Sequence, residues 1–350
     1  MTRLKLVMNK RLFLGVSGGV DSAVSAILLK SQGYEVIGVH LVVSEGSKDS
    51  DAKRVCDVVG IKYLELDVIQ QFKEQIKDPF VKSYCQGETP SPCLLCNERV
   101  KFKILSTLIE RENDYIATGH YAFIDTSKEY GKKLFLWDRE SIKDQCYMLY
   151  RLPPHILERV IFPLAGMPKS EVRALAKSLN LPVYAKKDSQ NLCFAKEGYL
   201  EFLNQVIEHK THGDILDIEG HKIGEHRGFQ EYTIGQRKGL GLNLKAPYFV
   251  LEIRPETNVI VAGPFSYLER KFFFLRDVVL HVEFEQLSHC KLIGRSRSSS
   301  KGFLGELTRV NGRYLFVYDE KNSHGAKGQH LVLYSQNLEL VAGGIIDELK

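Results

Sequence analysis

Short apolar runs alternate with amphipathic stretches along the first half of the chain. Leu12 to Val16, Val36 to Val43, Ile61 to Leu66 and Tyr115 to Thr118 are rich in β-branched or large apolar residues and predict buried strands. Between them, Val20 to Gln32 and Asp49 to Val59 carry helical periodicity. Gly33 and Gly60 follow where a helix C-terminus favours glycine. This alternation, continuing to about Phe194, predicts an α/β doubly wound, mostly parallel sheet, whose ligands bind at the carboxyl ends of its strands. After about Leu203 the pattern changes. Seven glycines fall between Gly213 and Gly241, and longer strands follow at Arg270 to Glu285, Gly302 to Val310, Tyr314 to Tyr318 and His330 to Tyr334. Both tracts read as all-β, which divides the chain into residues 1–205, 206–269 and 270–350.

A length of 350 residues agrees with two or three domains. With 44% hydrophobic and 26% charged residues, and no apolar run near the roughly 20 residues of a membrane-spanning helix, membrane-spanning and disordered classes are excluded. Met1 to Arg11 is basic, but Leu12 to Val16 is shorter than the ~7–15 residues of a signal-peptide core, so a cytoplasmic location is expected. Seven cysteines at irregular spacing do not form a secreted disulfide framework. The net charge of +5 is modest, yet Lys291, Arg295, Arg297, Lys301, Arg309 and Arg313 face only Glu306 within one stretch. That stretch is either a solvated loop or a contact for a phosphate backbone.

Gly15-Val16-Ser17-Gly18-Gly19-Val20-Asp21-Ser22 leaves the first predicted strand and opens the first helix. Glycines let the backbone approach an anion, and a helix N-terminus favours negative charge. Ser17 and Ser22 add hydroxyl donors, and Asp21 can hold magnesium (Mg2+) bridging phosphates. A Gly-Lys-Ser/Thr ending is missing, so the loop is not of the Walker type. Ser-Gly-Gly-Val-Asp-Ser resembles the signature of the PP-loop ATP pyrophosphatases, which split ATP between the α and β phosphates and adenylate an acceptor oxygen.

Two further segments carry cysteines: Gly87-Glu88-Thr89-Pro90-Ser91-Pro92-Cys93-Leu94-Leu95-Cys96-Asn97 and Lys187-Asp188-Ser189-Gln190-Asn191-Leu192-Cys193-Phe194. A helix predicted over Glu98 to Ile109 places Cys96 at its N-terminus, where the dipole favours a thiolate. Cys93 and Cys96 could be half of a zinc site, although a second pair is lacking. Cys56, Cys146 and Cys290 are expected to be buried, inert thiols. For Cys96 and Cys193 a sulfur-transfer or redox pair is the preferred reading.

With these segments the chain resembles the bacterial tRNA-specific 2-thiouridylases over nearly its whole length. Other motifs that carry the resemblance are Thr118-Gly119-His120-Tyr121-Ala122, Lys143-Asp144-Gln145, Phe162-Pro163-Leu164, Glu171-Val172-Arg173, Tyr232-Thr233-Ile234-Gly235-Gln236-Arg237-Lys238-Gly239-Leu240-Gly241 and Gly328-Gln329. The resemblance implies an N-terminal PP-loop domain, a small central β domain and a C-terminal β-barrel-like domain that contacts tRNA. It implies ATP-dependent adenylation of O2 of wobble uridine 34 in Lys, Glu and Gln tRNAs, then sulfur transfer to give 2-thiouridine, AMP and pyrophosphate. Cys193 would carry a persulfide from a sulfur-relay protein or cysteine desulfurase, and Cys96 would attack it, leaving a Cys96–Cys193 disulfide. Leu41, at the carboxyl end of the second strand, and Gly119 would line the nucleotide site with Gly15 to Ser22. His120, Lys143, Asp144, Gln145 and Gln329 would contact tRNA, with Arg295 as a further contact. Ser91, Pro92 and Cys93 would flank a target base flipped from the anticodon stack. Without the family, His120 reads equally as a core histidine. Cys93 stands where many relatives carry a candidate general-base aspartate. Together with Cys96 and Cys193 it could instead ligate an iron–sulfur cluster. Two rival functions, an amide-forming PP-loop synthetase and a catalytically silent tRNA-binding module, leave the cysteine motifs or Asp21 without a role.

Overall fold

The computed structural model describes residues 10–45, 51–128, 130–135, 143–188, 191–208, 210–244, 246–320 and 324–349. The basic start (residues 1–9), Asp49 and Ser50 of the second predicted helix, and Ser189 and Gln190 of the Cys193 segment lie outside these residues. The chain forms two compact units. One comprises residues 1–75, 93–190 and 338–340; the other comprises residues 76–92, 191–337 and 341–350.

The first unit is built on parallel strands β1 (Arg11–Gly15), β2 (Glu35–Val42), β3 (Lys62–Asp67), β4 (Tyr115–Thr118) and β7 (Val160–Ile161), in the order β3-β2-β1-β4-β7. The apolar runs form these strands because sheet faces covered by helices bury both sides; Leu12 and Leu14 of β1 are fully buried. Helices α1 (Val20–Ser31) and α2 (Asp51–Val59) and the helix Lys169–Ser178 share that core through Ala23, Val24, Leu29, Val55, Val172 and Ala176. An antiparallel hairpin, β5 (Phe123–Ser127) and β6 (Gly131–Phe135), is an addition that the pattern did not predict. Glu339 accepts a buried 2.6 Å hydrogen bond from the Ser127 hydroxyl.

The second unit contains a four-stranded sheet of β8 (Gly213–Leu216), β9 (Lys222–His226), β10 (Phe249–Arg254) and β11 (Val259–Gly263), ordered β10-β11-β8-β9 around Ile215, Val250 and Ile260. It also contains a closed barrel of β12 (Phe272–Leu280), β13 (Leu292–Arg295), β14 (Phe303–Val310), β15 (Arg313–Tyr318), β16 (His330–Tyr334) and β17 (Leu340–Leu349), with β17 returning to β12. Phe316 is fully buried. A Cβ at Gly294 or Gly305 would approach its ring within 2.6 or 2.8 Å, so two glycines make its space. The predicted strand Arg270 to Glu285 is shorter than expected. A register shift between Arg276 and Val279, with Asp277 at φ 48°, bends the strand, and the chain turns into a helix at Phe284–Leu287. The helices Asp78–Cys85 and Tyr199–Val206 pack through Phe80, Tyr84, Phe202 and Leu203. Among the described residues no helix is long and apolar enough to cross a membrane.

Candidate active site

β1 has β2 on one side and β4 on the other, so the strand order reverses at the end of β1, where ligands of doubly wound sheets bind. The chain leaves β1 at Gly15, turns through Val16 to Gly19 and enters α1 at Val20. Gly18 takes φ 69°, and a Cβ there would lie 2.8 Å from the Ala52 backbone nitrogen. Only glycine meets both demands. The buried Ser22 hydroxyl donates to the Gly19 carbonyl at 3.1 Å and accepts from the Ser17 amide at 3.3 Å, folding the turn onto the first turn of α1. From β4, Gly119 presses against the same turn; a Cβ on it would meet the Ser22 nitrogen at 2.9 Å. His40, beside Leu41 in β2, has Nδ1 3.0 Å from the Val16 carbonyl.

Asp21 is the centre of a charged cluster that the motif did not announce. Its Oδ1 accepts from the Tyr121 hydroxyl at 2.7 Å and from Lys169 Nζ at 2.6 Å. Lys169 also reaches Asp188 Oδ1 at 3.0 Å, and Arg173 donates to that oxygen at 2.6 Å. Burial, then the hydrogen bond to Asp21, raises the Tyr121 pKa, so this phenol remains a donor. Burial opposes charge on Asp188, but the Lys169 hydrogen bond and the fields of Lys169, Lys143 and Arg173 outweigh it and hold its pKa below the usual carboxylate value. Lys186 braces the loop from outside, donating to the Gly18 carbonyl at 3.0 Å and to Asp51 at 2.7 Å. Arg173, Tyr121 and Asp188 lay within motifs already quoted. Lys169, at the start of its helix, had no sequence signal beyond its charge.

His120 follows Gly119, its Nδ1 2.7 Å from the Thr118 hydroxyl and its ring against Phe102 and Phe162. Burial foremost, then the charges of Lys101 and Lys143, drive its pKa well below the ordinary histidine value, so it is neutral at pH 7. Gln145 clasps Tyr121 from both ends: its side-chain oxygen accepts from the Tyr121 amide, and its own amide donates to the Tyr121 carbonyl. Asp144 accepts from the Cys146 amide, and the Lys143 ammonium sits 4.9 Å above the Tyr121 ring. Lys143 and Gln145 thus gather on Tyr121, while Asp144 caps the turn at Cys146.

The helix expected from Glu98 begins earlier. Pro92–Cys96 is already helical, and the run continues through π-helical Asn97–Phe102 into Lys103–Thr107. Proline, with φ preset and no N–H to satisfy, suits a first helical position. Cys93 therefore occupies the first turn, and Cys96 lies one turn in, where the end-of-helix argument no longer applies. Cys93 is exposed but recessed; desolvation raises its thiol pKa, and Lys101 pulls the other way. Asn97 anchors the π segment, donating to the Met148 carbonyl at 2.9 Å and accepting from Lys101 at 2.8 Å. Glu98 accepts from the buried Arg151 at 2.6 Å. Cys56 and Cys146 are buried as expected, but Cys290 is exposed: it follows the short helix Phe284–Leu287, and its thiol lies at the rim, 3.1 Å from the Gln286 carbonyl.

In the second unit, Cys193 is exposed on a turn whose neighbours Leu192 and Phe194 are anchored in the Phe80–Tyr84–Leu203 cluster. The segment before Ser91 and Pro92 is tied to the barrel. Glu88 accepts both arms of Arg276 at 2.9 and 2.7 Å, and the Thr89 amide donates to the Lys327 carbonyl. Gln329 holds its own turn by accepting from the Ala326 amide. The basic stretch is largely matched in place: Lys291 pairs with Glu306 and Asp319, Arg313 with Asp347 and Glu348, and Arg309 lies over Phe284 and Tyr314. Arg295 donates to the Ser298 and Ser300 carbonyls at 2.6 Å.

A glycine-rich loop at the switch point of a five-stranded parallel sheet, with an aspartate in the first turn of the following helix, defines a PP-loop protein of the HUP class. Family models agree: residues 10–197 match the tRNA methyl transferase HUP domain, and residues 200–264 match the tRNA methyl transferase PRC-barrel domain. The tRNA-specific 2-thiouridylase MnmA 2 of Fusobacterium nucleatum is 46% identical, over 96% of this chain and 99% of that protein. MnmA 1 of Clostridium tetani is 38% identical over 98% of both chains, and MnmA of Clostridioides difficile is 37% identical over 98% and 99%. The chain belongs to the tRNA-specific 2-thiouridylase (MnmA) family.

Proposed function

We propose that this chain is a tRNA-uridine 2-sulfurtransferase that uses ATP. The observation that carries the reading is the phosphate cradle of Ser17 to Ser22, closed from β4 by Gly119, in a chain that also bears Cys93, Cys96 and Cys193. A ring carbonyl oxygen does not leave as hydroxide, so it must first be activated. The uridine O2 attacks the α phosphorus of ATP, the bond to the bridging oxygen breaks, and pyrophosphate departs into the cradle. Helix N–H groups, that of Ser22 among them, and the Ser17 hydroxyl meet its charge, while the Ser22 hydroxyl, donating to the Gly19 carbonyl, holds the turn. Asp21, a hard carboxylate at that place, would hold Mg2+, which supplies charge neutralisation. Leu41 flanks the nucleotide.

The sulfur half follows. The Cys96 thiolate attacks the inner sulfur of a Cys193 persulfide, forming the Cys96–Cys193 disulfide and releasing hydrosulfide. Hydrosulfide adds at C2, and AMP leaves with the former O2. A sulfur-relay protein or cysteine desulfurase reloads Cys193, and a thiol reductant reopens the disulfide. Ser91, Pro92 and Cys93 flank the flipped base, and His120, Lys143, Asp144, Gln145, Arg295 and Gln329 serve tRNA binding. Residues 1–205, 206–269 and 270–350 are the working domains, and the cytoplasm is the expected site of action. Methyl transfer, named in the family-model descriptions, needs neither a pyrophosphate cradle nor the cysteine pair.

One observation favours a second route to the same product. Cys93 and Cys96 stand three residues apart on one helix face, a spacing suited to sharing an iron–sulfur cluster completed by Cys193. The test is mass analysis of the wobble nucleoside formed by purified protein with ATP, Mg2+, tRNA and a sulfide source, with pyrophosphate measured in parallel. A 2-thiouridine product with stoichiometric, tRNA-dependent pyrophosphate is expected. Pyrophosphate release without tRNA, or an unmodified nucleoside, would overturn the reading.

A further inference from the structure

Lys169 is set where a metal-binding aspartate would otherwise carry an unbalanced charge. Its ammonium touches Asp21 Oδ1 at 2.6 Å and Asp188 Oδ1 at 3.0 Å, so one cation bridges two carboxylates. Arg173 supports Asp188 from the other side at 2.6 Å. The four side chains are between 21% and 37% exposed. The Tyr121 hydroxyl lies on the same Asp21 oxygen as Lys169, and its ring lies 5.7 Å beneath the lysine ammonium. Sequence gives no reason for a lysine at the start of this helix. A cation there is on the unfavourable side of the dipole, so the ion pairs across the cluster are what hold it.

We propose that Lys169 is a resident counter-cation of Asp21, which a divalent ion arriving with ATP must displace, and that Asp188 retains the displaced ammonium beside the polyphosphate. Two positive charges cannot share one carboxylate oxygen cheaply at contact distance. When Asp21 turns to a divalent ion, Lys169 loses that partner but keeps Asp188, with Arg173 fixing the receiving carboxylate. The lysine therefore raises the metal requirement of the empty loop and supplies a positive charge once nucleotide is present. Lys169 acts on the polyphosphate through its own charge, and the inference rests on the reading that Ser17 to Ser22 bind ATP with a cation at Asp21.

The test uses the full chain without tRNA, so that ATP is not consumed, and manganese(II) as the metal, read by its electron paramagnetic resonance signal. Lys169→Met removes the competitor, so manganese binding in the presence of ATP should tighten about fivefold or more. Asp188→Asn removes the receiving carboxylate and leaves Lys169 to Asp21 alone, so binding should weaken. Lys169→Arg should stay near the parent. In the complete reaction Lys169→Met should lower kcat for pyrophosphate release by about tenfold or more and change KM for ATP less, because charge on the departing pyrophosphate is no longer balanced. A variant that merely damages the fold weakens metal and nucleotide binding alike, so tightening in one variant and loosening in the other separates the proposal from structural collapse. If the parent binds manganese with ATP but both variants weaken it, the counter-cation role is overturned and the ATP reading stands. If the parent shows no ATP-dependent manganese binding, the ATP reading fails, and the proposal fails with it.

Discussion

Gly119→Ala isolates a close approach between β4 and the proposed nucleotide loop, because one methyl group is driven into backbone. The new Cβ would lie 2.9 Å from the Ser22 nitrogen, 3.0 Å from the Asp21 carbonyl carbon and 3.2 Å from the Asp21 Cβ, where ordinary contact begins at 3.4 Å. None of these atoms is the end of a flexible side chain, so β4 and the first turn of α1 must separate by about 0.5 Å. Overpacking of this kind costs ~1–3 kcal/mol. In a unit of this size that lowers Tm by roughly 2–4 °C per kcal/mol. The same displacement stretches hydrogen bonds from the helix N-terminus to phosphate. Losing one charge-assisted bond of ~1.5–3 kcal/mol weakens ATP about tenfold to a hundredfold. Calorimetric titration with ATP and Mg2+, beside a thermal melt, measures both. An ATP Kd within about twofold of the parent, with Tm within about 1 °C, would refute the claim that Gly119 sets the gap between β4 and the loop.

Three other outcomes are expected. Lys301→Ala should reduce the slope of log tRNA affinity against log salt by roughly 0.7–0.9, whereas Lys291→Ala, already paired with Glu306 and Asp319, should leave it unchanged; equal slopes in both variants would return the stretch to a solvated loop. Cys96→Ser and Cys193→Ser should form no 2-thiouridine yet still release tRNA-dependent pyrophosphate. Cys93→Asp should keep much of the thiolation activity, and activity that tracks iron and dies with all three changes would establish the cluster route instead. His120 and His226 are held below the ordinary histidine value by burial, so the unfolded chain takes up protons that the folded chain refuses. Stability is full above about pH 6.5 and falls below it. His120→Gln should flatten the decline of the urea midpoint between pH 7 and pH 5, and an unaltered slope would remove His120 as its source.

Period and composition placed β1 to β4 within about a residue, because a helix-covered strand must be continuously apolar and its glycines must terminate the helices. They failed where the deciding contact is remote. The start of the helix at Pro92 was missed although Ser91-Pro92 is a pair that favours a cap and a first helical position. β17 was missed because its Gly343-Gly344 pair breaks the alternation that the barrel tolerates. The site shows the same division. Ser17 to Ser22 are neighbours in sequence and were legible. The partner of Asp21, Lys169, lies 148 residues away and became visible only through folding.

The segment Ile76 to Pro92 is made early and used late. Glu88 waits for Arg276, 188 residues further along, and Gly87 for Ile253 and Pro255. At a translation rate of ~5–20 residues per second that interval is roughly 10–40 s. During it the glutamate that anchors the Cys93 segment has no guanidinium to meet. A chain interrupted after the nucleotide-binding half would therefore carry a complete phosphate loop beside an unanchored thiol segment. The Glu88 clasp can form only once β12, the first strand of the barrel, has been made.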